Sequence, residues 1–188
     1  MVTLRRARPD EAGVLTALVR AAKAHWPYDA AFLAAVRDEL TVRPGDLERF
    51  VIAERDGVVL GCYGIGGTPP AGELTDLWVA PGVIGTGLGR VLWDHAVASA
   101  AGYEYLDIDA DPYAEGFYLR MGAERIGESP SGSIPGRVLP RLRVWINGTR
   151  RATVRSDDEA DRHREEDGGA HHVERGRDTG PAQPPGHP

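Results

Sequence analysis

Cysteine is nearly missing from this chain of 188 residues, where Cys62 stands alone. No internal disulfide framework holds the fold, and a reducing compartment suits it. Long apolar runs are missing as well. No stretch reaches the length of a membrane span, and the opening residues, MVTLRRARPDE, lack the apolar core of a secretory signal. These absences predict a cytoplasmic protein without a membrane partner. An excess of positive charge is also lacking: the formal net charge is -6, which argues against a general nucleic-acid surface. From Arg150 to Pro188 there is no Leu, Ile, Met or aromatic residue. Such a segment buries too little to offset its ordering entropy, so residues 149–188 are expected to be a disordered tail after a folded domain over 1–148. His163, His171 and His172 fall in that tail with nothing to pre-organise them, and no metal site is expected.

What the chain does have is concentrated between Val79 and Gly89. An apolar run from Leu74 to Val79 leads into Pro81 and Gly82, followed by Gly85, Gly87 and Gly89 at alternate positions and then a helical pattern. Strand, glycine loop and helix N-terminus in that order make an anion site, because backbone N–H groups approach the ligand with the positive end of the helix dipole behind them. The spacing rejects two nucleotide loops. A dinucleotide fingerprint counted from Gly85 meets Arg90 where its third glycine belongs, and a P-loop lysine is absent after Gly87.

The residues Val79, Pro81, Ile84, Gly87 and Gly89 resemble the acetyl-CoA loop of the GNAT (Gcn5-related N-acetyltransferase) superfamily, V-x-P-x-x-Q/R-x-x-G-x-G/A. The departure is Ile84, where the family commonly carries Gln or Arg. Further on, Asp111 to Ala123 (DPYAEGFYLRMGA) is similar to the family's N-x-x-A-x-x-F/L-Y-x-x-x-G-F/A helix, with Ala114, Phe117, Tyr118, Gly122 and Ala123 matching. Asp111 replaces the usual Asn, and either residue caps a helix start. The resemblance implies a cofactor surface of Leu77, Val79, Ile84, Gly85, Thr86, Gly87, Leu88, Gly89, Arg90, Asp111 and Ala114, with acetyl-CoA as co-substrate. Backbone near Leu77 would meet the oxyanion, and Val79 would pair with pantetheine.

The rest of the pattern predicts an α+β domain. Val2 to Arg6 reads as a strand, and Asp10 as the cap of a helix with Val14, Leu15, Leu18 and Val19 inward. Pro27 ends that helix, and Asp29 starts another bearing Phe32, Leu33, Val36 and Leu40. Phe50 to Glu54 and Val58 to Ile65 flank the hairpin signal Asp56-Gly57, with a loop expected from Gly66 to Gly72. A helix over Gly87 to Ala101 turns Leu88, Val91, Leu92, Ala96 and Ser99 inward. Tyr105 to Ala110 is a strand and Ala114 to Met121 a short helix. Strands near Ala123 to Gly127 and Leu139 to Ile146 flank the loop SPSGSIPGR. The resemblance implies that these elements form a mixed, mostly antiparallel central sheet flanked by helices, with splayed central strands forming the acetyl-CoA cleft.

Acyl transfer from a thioester to an amine needs a neutral amine, donors for the carbonyl oxygen and a proton for the thiolate. The resemblance places Tyr118 at the sulfur as proton donor; packing on the stripe of Ala114, Phe117 and Met121 is the alternative. Glu73 and Asp76 are the candidate bases, Glu73 sharing strand parity with Leu77 and Val79 unless a bulge intervenes. Asp76, Asp107 and Asp109 each need an ion-pair partner or a cleft. The hinge with Trp26 and Tyr28, together with Asp109 and Ser133 in the Gly- and Pro-rich loop, marks the acceptor region. His95 reads as a core histidine rather than a catalyst, and Cys62 as a small hydrophobe. The expected activity is N-acetyl transfer from acetyl-CoA to a small-molecule or peptide amine by direct attack in a ternary complex. A non-catalytic acyl-CoA-binding domain is the alternative. The oligomeric state is left open, a homodimer among the options.

Overall fold

A computed structural model describes residues 1–146; the expected tail lies outside them. The strands are β1 (Thr3–Arg6), β2 (Phe50–Arg55), β3 (Val58–Thr68), β4 (Ala71–Val79), β5 (Tyr105–Asp109), β6 (Glu124–Pro130) and β7 (Val138–Trp145). The helices are α1 (Ala12–Ala24), α2 (Ala30–Ala35), α3 (Leu88–Ser99) and α4 (Glu115–Arg120), with 3-10 turns at Pro44–Arg49 and Pro81–Val83. The strands form a single sheet in the order β1-β2-β3-β4-β5-β7-β6. Every neighbouring pair is antiparallel except β4 and β5.

Strand alternation divides the core between the two faces of the sheet. On β2, Phe50 and Ile52 join Leu15, Leu18 and Val19 of α1 together with Cys62. Val51 and Ala53 point the other way, into a cluster with Leu92, Trp93 and Ala96 of α3, Leu106 and Ile108 of β5, and Leu142 of β7. Cys62 is fully buried, as a small hydrophobe should be, and burial pushes its thiol pKa up. The hairpin forms at Asp56 and Gly57, whose φ angles of 53° and 80° suit a tight turn between twisted strands.

Several local expectations shift. Gly66 to Gly72 is not a loop: β3 continues to Thr68 and β4 starts at Ala71, leaving only Pro69 and Pro70 to turn. Gly72 is there for close approach, since a Cβ would lie 2.6 Å from Tyr103 and Leu106. The inward stripe of α3 is rotated, with Trp93 and Ala100 buried and Val91 exposed. His95 is therefore exposed rather than in the core, and its Nδ1 lies 2.8 Å from the Tyr63 hydroxyl. Val14 of α1 is likewise exposed. The residue flanking α1 is Glu11, not Asp10, and it makes no side-chain cap. Its carboxylate instead takes two hydrogen bonds from Arg5, at 2.9 and 2.7 Å, and one from the Arg8 N–H at 2.7 Å. Asp29 does cap α2, accepting from the Phe32 N–H at 2.7 Å.

Candidate active site

The parallel pairing of β4 and β5 is short. It joins Ala71, Gly72 and Glu73 to Tyr105, Leu106 and Asp107, and no further. Beyond Glu73 the β5-facing edge of β4 has no strand partner among the described residues, so its backbone polar groups are available to a ligand. A bulge sharpens the divergence. Gly64 pairs with Asp76 while Ile65 pairs with Leu74, so Thr75 is an extra residue. The bulge corrects the expected parity: Leu74, not Glu73, shares a face with Leu77 and Val79.

A cleft of about 650 Å³ opens where the strands part. Its floor includes Leu74, Asp76, Leu77 and Val79, and one end is formed by Ile84, Gly85, Gly87, Gly89 and Arg90. Asp109, Asp111, Ala114, Phe117, Tyr118 and Arg120 make one wall. Lys23 and Trp26 of the α1 end, Glu39, and Arg137 from the loop between β6 and β7 make the other. The glycine loop fits an anion. Gly85 and Gly87 have φ of 82° and 91°, and an added Cβ at either would meet no atom within 4 Å. Left-handed backbone of this kind turns N–H groups toward a common point. Gly87 also precedes α3, accepting from Arg90 at 3.1 Å and Val91 at 3.2 Å. Gly89 packs against Phe117 of α4, 3.5 Å from a built Cβ, which ties the two sequence motifs together in space.

Residues 14–123, more than half of the chain, match the acetyltransferase (GNAT) family. The chain belongs to the GNAT acetyltransferase family. Solved GNAT structures agree in fold. PaiA N-acetyltransferase of Thermoplasma acidophilum, solved with coenzyme A, gives a TM-score of 0.63 at 15% identity, covering 77% of this chain and 99% of that one. YncA of Salmonella typhimurium, solved with acetyl-CoA, gives 0.57 at 18% identity over 82% and 99% of the two chains. N-acetylglutamate synthase of Neisseria gonorrhoeae, with coenzyme A and N-acetyl-glutamate, gives 0.58 at 19% identity over 78% of this chain. This chain spans about a third of that enzyme, covering 35% of it.

Within the GNAT cleft, Tyr118 is the buried phenol. No described residue hydrogen-bonds its hydroxyl, which leaves it available to the cleft. Burial, and then the charges of Asp76 and Asp111, push its pKa above the usual tyrosine value, so it is protonated at neutral pH. Asp76 lies beneath the cleft, accepting from Trp78 Nε1 at 3.0 Å with Arg49 3.6 Å away. Glu73 does not reach this space; it is exposed and lines a separate small depression with Asp107 and Asp109. Asp107 is structural. Burial opposes its charge, but hydrogen bonds from Arg143 at 2.6 Å and Arg141 at 3.1 Å outweigh that and hold its carboxyl below the usual range. Asp109 lines the cleft and pairs with Arg141 at 3.2 Å.

Other expected residues divide. Thr86 is exposed, and its hydroxyl donates to the Val83 carbonyl at 2.8 Å within its own turn. The Leu88 side chain is buried in the core beneath α3. Ser133 is outside the lining and donates to Glu39, which is part of it. Asp111 is engaged by protein groups: it pairs with Lys23, accepts from the Tyr28 hydroxyl at 3.0 Å and takes the Tyr113 N–H at 2.9 Å. Trp26 stacks on Tyr113 at 5.3 Å. Burial, reinforced by Asp111, raises the Tyr28 phenol pKa. Lys23 and Arg137 escaped the sequence reading. Lys23 is the chain's only lysine and follows Leu15 and Val19 at intervals of four, a cation in line with buried apolar residues. Arg137 ends the Gly- and Pro-rich loop read as part of the acceptor region, but nothing in that loop singled out its side chain.

Proposed function

We propose that the chain transfers an acetyl group from acetyl-CoA to the amine of a small acceptor by direct attack, with both substrates in the cleft at once. Acetyl-CoA, when bound, supplies an acyl group already activated as a thioester. The loop from Ile84 to Gly89 takes the pyrophosphate through backbone N–H groups, with Arg90 adding charge at the same end. The free edge of β4 past Glu73 accepts the pantetheine arm as a strand-like partner and offers an N–H near Leu77 to the carbonyl oxygen. Tyr118 gives its proton to the departing sulfur. Asp76, rather than Glu73, is the carboxylate that draws the acceptor ammonium into the cleft and takes a proton from it, so that the neutral amine attacks the thioester carbonyl.

The observation that carries this reading is Tyr118, buried, protonated and without a hydrogen-bond partner among the described residues. Tyr118→Phe keeps the ring and removes only the hydroxyl. Acetyl-CoA affinity and melting temperature are expected to hold while the transfer rate drops roughly ten- to a thousand-fold. Release of free CoA, corrected for hydrolysis and measured where chemistry limits turnover, is the readout. An unchanged rate would assign the phenol to packing alone.

A further inference from the structure

The acidic groups of the cleft all have polar partners. Asp111 holds Lys23 and the Tyr28 hydroxyl, Asp76 has Arg49 and Trp78, Asp109 has Arg141, and Glu39 accepts from Ser133. The cations are not all matched. Arg90 is exposed beside the glycine loop, where a phosphate ligand would answer it, and Arg120 is exposed on the cleft wall. Arg137 is different: it is half-buried, comes from the loop between β6 and β7, and has no carboxylate partner among the described residues.

Its guanidinium is nevertheless held in place. Tyr28 and Phe32 stack with centroids 4.0 Å apart, and the Arg137 guanidinium carbon lies 4.8 Å from the Phe32 ring and 5.6 Å from that of Tyr28. One terminal nitrogen donates to the Tyr28 hydroxyl at 3.1 Å. The backbone of Arg137 is fixed too, its N–H bonding the Ile134 carbonyl at 3.2 Å and its carbonyl accepting from Ser131 at 2.8 Å. An arginine fork held on an aromatic platform, with free donors and no anion of its own, is a pre-organised carboxylate receptor. A polyamine suits this end poorly, because Arg137, with no carboxylate partner among the described residues, would oppose its second charge.

We infer that the acceptor is an amino carboxylic acid, its carboxylate bound by Arg137 while its amine points toward Asp76 and Tyr118. This rests on the proposed acetyl transfer and deepens it by naming the substrate class. The experiment is a transfer assay with free amino acids, their carboxamides and simple diamines, run on the wild type, Arg137→Gln and Arg137→Lys. The wild type should favour acids over the matched carboxamides at least tenfold in kcat/KM. In Arg137→Gln that gap should close through a higher KM for the acids, with the carboxamide values and acetyl-CoA affinity unchanged. Arg137→Lys should restore part of it, since the charge returns without the fork. Equal use of acids and carboxamides by the wild type, a preference for diamines, or a gap that survives Arg137→Gln would overturn the inference while leaving acetyl transfer standing. Binding of acetyl-CoA with no transfer to any member of the panel would overturn both.

Discussion

Replacing Gly87 separates the cost of an awkward backbone from the cost of a lost ligand. Gly87 has φ of 91°, and an added Cβ meets nothing within 4 Å. A side chain there strikes no protein atom, so the folding penalty is conformational, about 1–2 kcal/mol for an L-residue held in left-handed geometry. For Gly87→Val, branching at Cβ puts it toward the upper end. In a domain of this size that lowers the melting temperature by roughly 3–8 °C. On the proposed reading the same open space is the approach path of a pyrophosphate, and valine fills it. Acetyl-CoA affinity should fall at least about tenfold, or about 1.4 kcal/mol. Gly82→Val is the control: Gly82 also has open space around a built Cβ, without a positive φ and outside the cleft lining. It should keep both affinity and melting temperature. Calorimetric titration reads the first effect and circular dichroism melts the second. Wild-type affinity in a folded Gly87→Val protein would place the ligand elsewhere and refute the assignment of the loop.

Two further predictions concern charge. Lys23→Met strands the Asp111 carboxylate, whose side chain is 10% exposed, and should cost about 3 kcal/mol in urea unfolding; Lys23→Met combined with Asp111→Leu should recover most of that, and a single-variant loss below about 1 kcal/mol would show the pair to be weak. Glu11 is held at about 2 by hydrogen bonds from Arg5, against 4.5 for a free glutamate. Its folded pKa is depressed, so its stabilisation is complete above pH 4.5 and is lost as pH falls toward 2. The wild type should therefore exceed Glu11→Gln in urea midpoint at pH 7, with the difference shrinking below about pH 4.5; a constant difference across that range would rule out the ion pair as its source.

Local signals were legible in the sequence and long-range ones were not. Asp56-Gly57 carries its own turn geometry, and the alternating glycines announce a loop whatever surrounds them. Asp29 likewise capped where a cap was expected. The spacing of α4 placed Tyr118, but its burial against the cleft depends on Trp93 of α3, whose ring lies 5.8 Å away. The bulge at Thr75 arises from how β3 and β4 meet, so parity along β4 alone misassigned Glu73. Gly72 read as a loop residue because flexibility and close approach leave the same letter in a sequence. The Arg137 platform unites residues 109 positions apart, and no periodicity reports such a contact.

The pairing of Lys23 with Asp111 reaches beyond the cleft. Thioesters acylate exposed, neutral amines without any enzyme, and lysine-rich proteins accumulate such adducts during assay. Here the one ε-amine in the whole sequence is buried and ion-paired with a carboxylate. Every other basic side chain is arginine or histidine, neither of which gives a stable acetyl adduct under mild conditions. Side-chain self-labelling is thereby suppressed, and radioactive acetyl groups found on a side chain of this polypeptide would report an opened cleft rather than background chemistry.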